Sequence, residues 1–325
     1  MSLFSACTNI ISISNDASNG NNKVFLLEKH FAIEDINTVL AVSSGGSIQV
    51  DGNASDSARI EVYGQGNNGK PLTKAEILEI IERDYNFSVR KIGNALEARS
   101  ERRKNAKWKN AINISYVIHV AREVNTDLTT SGGSIQLENL EGNQSFKTSG
   151  GSLRLSGLNG KIDGRTNGGS IRISDSEGSI VLYTSGGSIR MRGLKGNLLA
   201  HTSGGSIRGQ QVSGRLNTRT SGGSIRLSEI DAELEAKTSG GSIQADFAAF
   251  TQAAKLQTSA GSIRLQIPAN AALDFELEGS SVDIADAENL QVNYNKRGDQ
   301  AQGRLNEGGP KLEASTSAGS VELHF

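Results

Sequence analysis

From residue 131 to residue 266, apolar and polar positions alternate in short runs that recur at a fixed interval. In one unit Ser152-Leu153-Arg154-Leu155 alternates, Gly157-Leu158-Asn159-Gly160 has the composition of a turn, and Lys161-Ile162-Asp163-Gly164-Arg165-Thr166 alternates again. This pattern predicts two short strands per unit. Ser-Gly-Gly-Ser-Ile begins at Ser131, Ser185, Ser203, Ser221 and Ser239, with variants at Ser149 and Asn167, so six successive intervals are each 18 residues long. A further copy follows at Ser259-Ala260-Gly261-Ser262-Ile263, a last one at Ser317-Ala318-Gly319-Ser320-Val321, and an early one at Ser44 to Ile48. A short fixed period means stacked units.

Aligning the units gives one apolar column of Ile135, Leu153, Ile171, Ile189, Ile207, Ile225, Ile243 and Ile263, and a second of Leu137, Leu155, Ile173, Met191, Leu227 and Leu265. These columns are the expected core. A column of Gly142, Gly160, Gly178, Gly196 and Gly214 marks one corner and the paired glycines mark the other, where positive φ or close backbone approach is needed. Asn167, which tolerates the same backbone, replaces Ser at one of these corners. The expected fold is all-β, a single-stranded parallel β-helix, and eight coils at the spacing of neighbouring strands give a rod of roughly 38 Å.

Outside the regular coils the pattern changes. Residues 1–22 read as a signal remnant and flexible tether, 23–130 as irregular coils with a cap, 131–266 as the regular β-helix and 267–325 as C-terminal coils and a cap. Thr73 and Glu76 form a capping-box pattern ahead of Ile77, Leu78, Ile80 and Ile81, which predicts one short helix. Strands are expected at Phe87 to Lys91 and Ile112 to Val120. An open β-helix end is a row of unpaired strand groups, so the irregular segment is expected to cover it.

Composition narrows the class. Glycine is 38 of 325 residues against an average of about 7 %, and proline is 3 of 325. Neither collagen nor a proline-rich linker has this composition. With 34 Lys and Arg against 35 Asp and Glu the net charge is −1, which argues against a general nucleic-acid binder. There is no apolar run long enough to span a membrane as a helix. Cys7 is the single cysteine, which excludes an internal disulfide framework and a cysteine-cluster metal site.

Several motifs suggest chemistry. Gly64-Gln65-Gly66-Asn67-Asn68-Gly69-Lys70-Pro71 nearly spells a phosphate-binding loop, but Pro71 supplies neither the hydroxyl nor the amide that such a loop needs after its lysine, so it reads as a strand-to-helix loop. A calcium β-roll needs oxygen ligands where this chain has Leu153 and Leu155, or Ile189 and Met191. His30, His119, His201 and His324 have no metal-ligand spacing. Acids in the regular coils, such as Asp163, Asp175 and Glu229, are scattered, and the repeated serines lie in corners with no partner histidine. No catalytic constellation, cofactor or metal is expected.

One surface stands out. Strand side chains alternate, so the position after the Ile column points outward, and it reads Gln136, Arg154, Arg172, Arg190, Arg208, Arg226, Gln244 and Arg264. A second outward column reads Lys147, Arg165, Tyr183, His201, Arg219 and Lys237, and from Gly178 to Ser228 seven Arg or Lys stand with no Asp or Glu. Guanidinium groups suit phosphate or carboxylate recognition. The candidate ligand-binding residues are therefore Arg154, Arg172, Arg190, Arg208, Arg226, Arg165, Tyr183, His201 and Arg219. Arginine stems that cover the sheet and keep it soluble are the competing reading. Arg99, Arg102, Arg103, Lys104, Lys107 and Lys109 with Trp108 form a second basic cluster, expected at a solvated hairpin tip.

Phe4-Ser5-Ala6-Cys7 resembles the end of a bacterial lipoprotein signal, in which a small residue precedes the lipidated cysteine, although Phe stands where Leu is usual. Under that reading Cys7 carries lipid and residues 8–22 form the tether. An incidental cysteine at a native, cytoplasmic N-terminus is the alternative.

The repeated Thr-Ser-Gly-Gly-Ser-Ile units, the Ile114-Ser115-Tyr116-Val117-Ile118 strand and the closing Gly308-Gly309-Pro310 followed by Thr316-Ser317-Ala318-Gly319-Ser320-Val321 resemble the bacterial "putative adhesin" family of β-strand-repeat proteins, from about residue 24 to Phe325. The resemblance implies a right-handed single-stranded parallel β-helix at or near the cell envelope, and it carries over no catalytic or binding residues. The functional expectation is a non-enzymatic envelope protein whose basic face contacts an acidic glycan, a lipid head group or an envelope protein. A structural or regulatory self-assembling scaffold is the first alternative and a polysaccharide-active enzyme the distant one. The oligomeric state is open.

Overall fold

The computed structural model describes residues 23–67, 71–106 and 111–325. Cys7 and the 8–22 tether lie outside the described residues, as do Gly69, Lys70, Lys107, Trp108 and Lys109. The chain forms two compact units, divided between Ser152 and Leu153. It is a parallel β-solenoid built on the 18-residue coil, as the periodicity predicts.

The second unit shows why the repeat works. Its coils comprise β11 (Leu153–Ser156) with β12 (Asn159–Thr166), then β13 (Ile171–Thr184), β14 (Ile189–Thr202), β15 (Ile207–Arg219) and β16 (Ile225–Lys237), then β17 (Ile243–Phe247) with β18 (Ala254–Thr258), followed by β19 (Ile263–Gln266). Pairing is parallel with like positions opposed, so Ile171 faces Ile189, which faces Ile207, which faces Ile225. Both predicted apolar columns are buried. Gly209 interrupts the second column because a Cβ there would stand 2.9 Å from the Leu227 side chain, which with Met191 fills the space.

The Thr-Ser-Gly-Gly-Ser corner is a stacking device. Buried Thr202 donates from Oγ1 to the Gly187 carbonyl of the preceding coil at 2.7 Å and accepts from its own Gly205 amide at 3.3 Å. Thr184, Thr220, Thr238, Thr258 and Thr316 donate in the same way to Gly169, Gly205, Gly223, Gly241 and Gly261. The second glycine of each pair is fixed by close approach, since a Cβ at Gly205 would lie 2.1 Å from the Gly187 oxygen. The opposite corner needs positive φ, as at Gly196 with φ 120°. It contains a second left-handed position that sequence composition hid, because Asp175, Gln211 and Glu229 alternate there with Gly157 and Gly193.

Coils do not stack in chain order at the end of this unit. β20 (Leu273–Glu278), β21 (Ser281–Ile284), β22 (Leu290–Tyr294) and β23 (Gln300–Leu305) precede β24 (Lys311–Thr316) and β25 (Ser320–His324) in sequence. Yet β24 and β25 pair directly with β18 and β19, placing Leu312 opposite Ala254 and Val321 opposite Ile263. β20 and β21 pair with the other edges of β24 and β25. The 311–324 segment is thus inserted between two earlier ones. β23 then lies antiparallel on β20 and β22 antiparallel on β23, covering the outer edge.

The first unit repeats this arrangement with other residues. It contains β1 (Val24–Ala32), β2 (Thr38–Ser43), β3 (Ile48–Asp51), β4 (Ser57–Gly66), α1 (Lys74–Asp84), β5 (Tyr85–Ile92), β6 (Ala95–Arg102), β7 (Ile112–His119), β8 (Asn125–Thr130), β9 (Ile135–Glu138) and β10 (Glu141–Thr148). β2 lies between β6 and β8, and β3 between β7 and β9, all parallel. The early Ser44 copy of the motif therefore stacks directly on the Ser131 copy, with Ile48 opposite Ile135. Antiparallel β5 covers β6, and antiparallel β4 and β1 extend from β7. The capping box forms as predicted, with Thr73 as N-cap of α1. Gly64 is a packing residue, because a Cβ there would meet Ile77 of the helix at 2.6 Å.

Candidate binding surface

Register determines what the outward side chains can do. Arg154 stands opposite Arg172, Arg172 opposite Arg190, Arg190 opposite Arg208, and Arg208 opposite Arg226. All five are exposed. Neighbouring strands lie about 4.7–4.9 Å apart, so the guanidinium groups form a ladder with that repeat. Arg154, Arg172, Arg190 and Arg208 have no ion-pair partner among the described residues, and Arg226 donates only to Gln244 Oε1 at 3.4 Å. Past Gln244 the column is neutralised, because Arg264 Nη2 meets Glu322 Oε2 at 2.8 Å. A shallow groove of about 250 Å³, lined in part by Arg226, Gln244, Arg264 and Glu322, marks this end of the ladder.

A row of hydroxyls runs beside the arginines. Ser170 Oγ accepts the Ser188 amide at 3.2 Å, Ser188 Oγ accepts that of Ser206 at 3.2 Å, and Ser206 Oγ accepts that of Ser224 at 3.3 Å. Each oxygen is engaged as an acceptor, so each hydroxyl proton remains to be donated outward. Arg192 lies on the far side of the ladder, opposite Ser174 and Gln210 in register. The corner serines thus form a row beside the ladder as well as part of the turn.

The second candidate column is a different kind of surface. Arg165, Tyr183, His201, Arg219 and Lys237 are in register. Arg165 is bound to Asp163 through Nε and Nη2 at 3.0 and 3.1 Å, which raises its pKa, and its guanidinium lies 5.2 Å from the Tyr183 ring centroid. Tyr183 and His201 stack with centroids 5.7 Å apart. Among the described residues no hydrogen bond or ion pair joins this column to the arginine ladder. They lie on different faces of the coil, divided by the Gly-Gly corner on one side and the left-handed bends on the other. Stacking also changes the charge reading, because Glu177 reaches Lys195 at 3.4 Å and Glu233 reaches Arg215 at 2.7 Å. Both acids lie just outside the acid-free stretch of sequence.

Of the second basic cluster, Arg99 pairs with Glu101 at 2.8 Å and Arg103 donates to Asn86 and to the Arg83 carbonyl. Arg102 donates to the Ala106 carbonyl. Arg99 and Arg102 lie in β6 and Arg103 just beyond it, at the open end of the β5–β6 hairpin and not at its tip, which is the Gly93–Asn94 turn.

The structure assembles one cluster that the sequence did not reveal. On the outward side of β1, β4, β7 and β3, His30 meets Glu28 at 3.0 Å, Arg59 meets Glu61 at 3.1 Å, and His119 stands between Glu61 at 3.8 Å and Asp51 at 3.7 Å. Tyr63 donates to Glu61 Oε2 at 2.7 Å, and burial together with that bond pushes its hydroxyl up to about 12. The outward polar alternation of Arg59, Glu61 and Tyr63 was visible in the sequence, but the antiparallel pairing that joins four strands was not. No group of three or more potential metal ligands occurs among the described residues.

The coil, its Thr-Gly corner and the out-of-order terminal stacking define a parallel β-solenoid. Residues 179–324 match the family model Toastrack DUF4097, a domain of unknown function. No curated protein matches the chain. Among solved structures, a "putative cell adhesion protein" from Clostridium sporogenes is 11 % identical, with 91 % of this chain and 98 % of that one covered at a TM-score of 0.19. A "putative adhesin" from Bacteroides fragilis is 10 % identical, with coverage of 93 % and 96 % and a TM-score of 0.28. A "putative lipid binding protein" from Parabacteroides distasonis is 13 % identical, with coverage of 94 % and 97 % and a TM-score of 0.29. Scores of this size carry no argument about function.

Proposed function

We propose that this is a non-enzymatic binding protein of the cell envelope whose arginine ladder contacts an anionic polymer. The observation that supports it is the in-register stack of Arg154, Arg172, Arg190, Arg208 and Arg226, without acid partners. Two like charges at one strand spacing repel by about 1 kcal/mol in water, so the unliganded ladder is electrostatically uphill and an anion laid along it relieves every step. Envelope placement is supported by the lipoprotein-like Phe4-Ser5-Ala6-Cys7, with Cys7 as the lipid anchor.

Binding should be strong at low ionic strength and fall steeply with salt, since these charges are exposed. Replacing Arg172, Arg190, Arg208 and Arg226 together by Ser should abolish retention on an acidic polysaccharide column while leaving the melting temperature close to that of the parent. Unchanged retention overturns the assignment. The scaffold alternative, with coils joining end to end, finds less support, because antiparallel strands cover the outer edge in each unit.

A further inference from the structure

We infer that the ligand of the ladder is a linear polyuronate, a polysaccharide with one carboxylate per sugar, lying along the stacking direction with its carboxylates meeting the arginines. This deepens the anion-binding reading above and rests on it. Three features of the face select this class.

The first is the period. The ladder offers one guanidinium per coil, every 4.7–4.9 Å, and a pyranose with its glycosidic bond advances the chain by about one such step, so the carboxylates that face the ladder recur at a whole number of coils. A duplex nucleic-acid strand carries one phosphate per ~3.4 Å of axis, which falls out of register within a few coils. The second is the chemistry of the flanks. Hydroxyl donors at Ser170, Ser188 and Ser206 run along one side, and Ser174, Arg192 and Gln210 run along the other, so a ring seated on the middle arginines finds hydrogen-bonding partners for its own hydroxyls on both sides. No aromatic side chain stands in these outward columns, so there is no stacking platform for a nucleobase. The third is the boundary. Glu322 neutralises Arg264 beyond Gln244, so the ladder has a defined end and a defined length of five arginines. Planar guanidinium groups on carboxylates allow bidentate bonds that a lysine ladder would lack.

The experiment is titration calorimetry of the full chain with galacturonate oligomers from one sugar to well beyond five, at low salt, with inorganic polyphosphate and anionic phosphatidylglycerol vesicles as comparison probes. Affinity should climb steeply with each added sugar up to about five, the number of arginines, and level off beyond that, apart from a small statistical gain. Arg190→Gln divides the ladder, whereas Arg154→Gln only shortens it. The interior change should weaken the five-sugar oligomer about tenfold or more, and the end change clearly less. Both are exposed side chains, and a melting curve checks that each variant is folded. If polyphosphate binds as well as the oligomer and the two variants lose equally, the periodic match is wrong, although the anion surface stands. Vesicle binding without oligomer binding overturns the glycan in favour of a head group. If none of the probes binds, the ladder is not a ligand surface and the underlying reading falls with the inference.

Discussion

Placing one methyl group at either of two adjacent glycines tests the stacking mechanism. At Gly205 a Cβ would lie 2.1 Å from the Gly187 oxygen, 2.4 Å from its carbonyl carbon and 2.7 Å from the Ser188 amide nitrogen. Ordinary contact begins at 3.4 Å, so the two coils must part by more than 1 Å at this corner. That opening breaks the 2.7 Å bond from Thr202 to Gly187 and the 3.2 Å bond from the Ser206 amide to Ser188. Each bond is worth about 1 kcal/mol, and the overpacking itself costs about 1–3 kcal/mol, so Gly205→Ala should destabilise by about 3 kcal/mol or more. At Gly204 the nearest atoms are 3.6 Å away and φ is not positive. Gly204→Ala should be neutral, or stabilising by ~0.4–1 kcal/mol through the unfolded chain. Solenoid coils open locally, so urea melts should be combined with hydrogen exchange at the amides of residues 205–207. If the two alanine variants agree within about 0.5 kcal/mol, close coil approach does not explain the second glycine.

Two further perturbations probe the same architecture. Thr202→Val keeps the shape but leaves the Gly187 carbonyl and Gly205 amide without their partner, and should cost about 1–3 kcal/mol in a denaturant melt while Thr202→Ser retains most of the stability; a larger loss in the serine variant than in the valine variant would place the effect in the methyl group. Glu313 is held at about 2, below its usual 4.5, by hydrogen bonds from Lys255 and Lys311. Because the folded value is depressed, its contribution is complete above pH 4.5 and fades as pH falls toward 2. Both lysines are about half exposed, so screening limits the contribution to about 0.2–1 kcal/mol. Glu313→Gln should flatten the acid limb of the stability curve of the 311–324 segment in that range, and an unaltered limb would assign its acid sensitivity to other groups.

Much of the fold was legible because a solenoid writes each contact once per coil. The Ile column, the Gly-Gly corner and the outward arginines are all consequences of a parallel register in which residue i meets residue i+18, and a fixed period exposes that register directly. The capping box of α1 was equally local, needing only Thr73 and Glu76. Long-range pairing was illegible. The Ser44 copy of the motif reads as isolated from Ser131, and Ser317 from Ser259, yet each pair is in contact because the corner chemistry matches whatever the intervening length. A Cβ at Gly46 would lie 1.9 Å from the Ile114 oxygen and one at Gly319 2.3 Å from that of Gly261, the same close approach as at Gly205 with 2.1 Å. At the surface, the arginine ladder followed from alternation alone. Pairing of Lys195 with Glu177 and of Arg215 with Glu233 follows from the same i to i+18 register. The His30–Glu28–Arg59–Glu61–His119–Asp51 network depended on antiparallel pairings that leave no period to read.

The insertion of segment 311–324 between 254–266 and 273–284 also bears on how the second unit responds to tension. A simple solenoid loaded through its outermost coil peels, giving up one row of hydrogen bonds at a time. Here a pull delivered through residue 324 acts on a segment bonded along both edges, so two rows must slide or break together before any coil is released. The same clasp delays closure during folding, since the 254–266 edge waits for a partner more than 40 residues further along the chain. The molecule accepts a slow last step in assembly and gains an end that does not unzip.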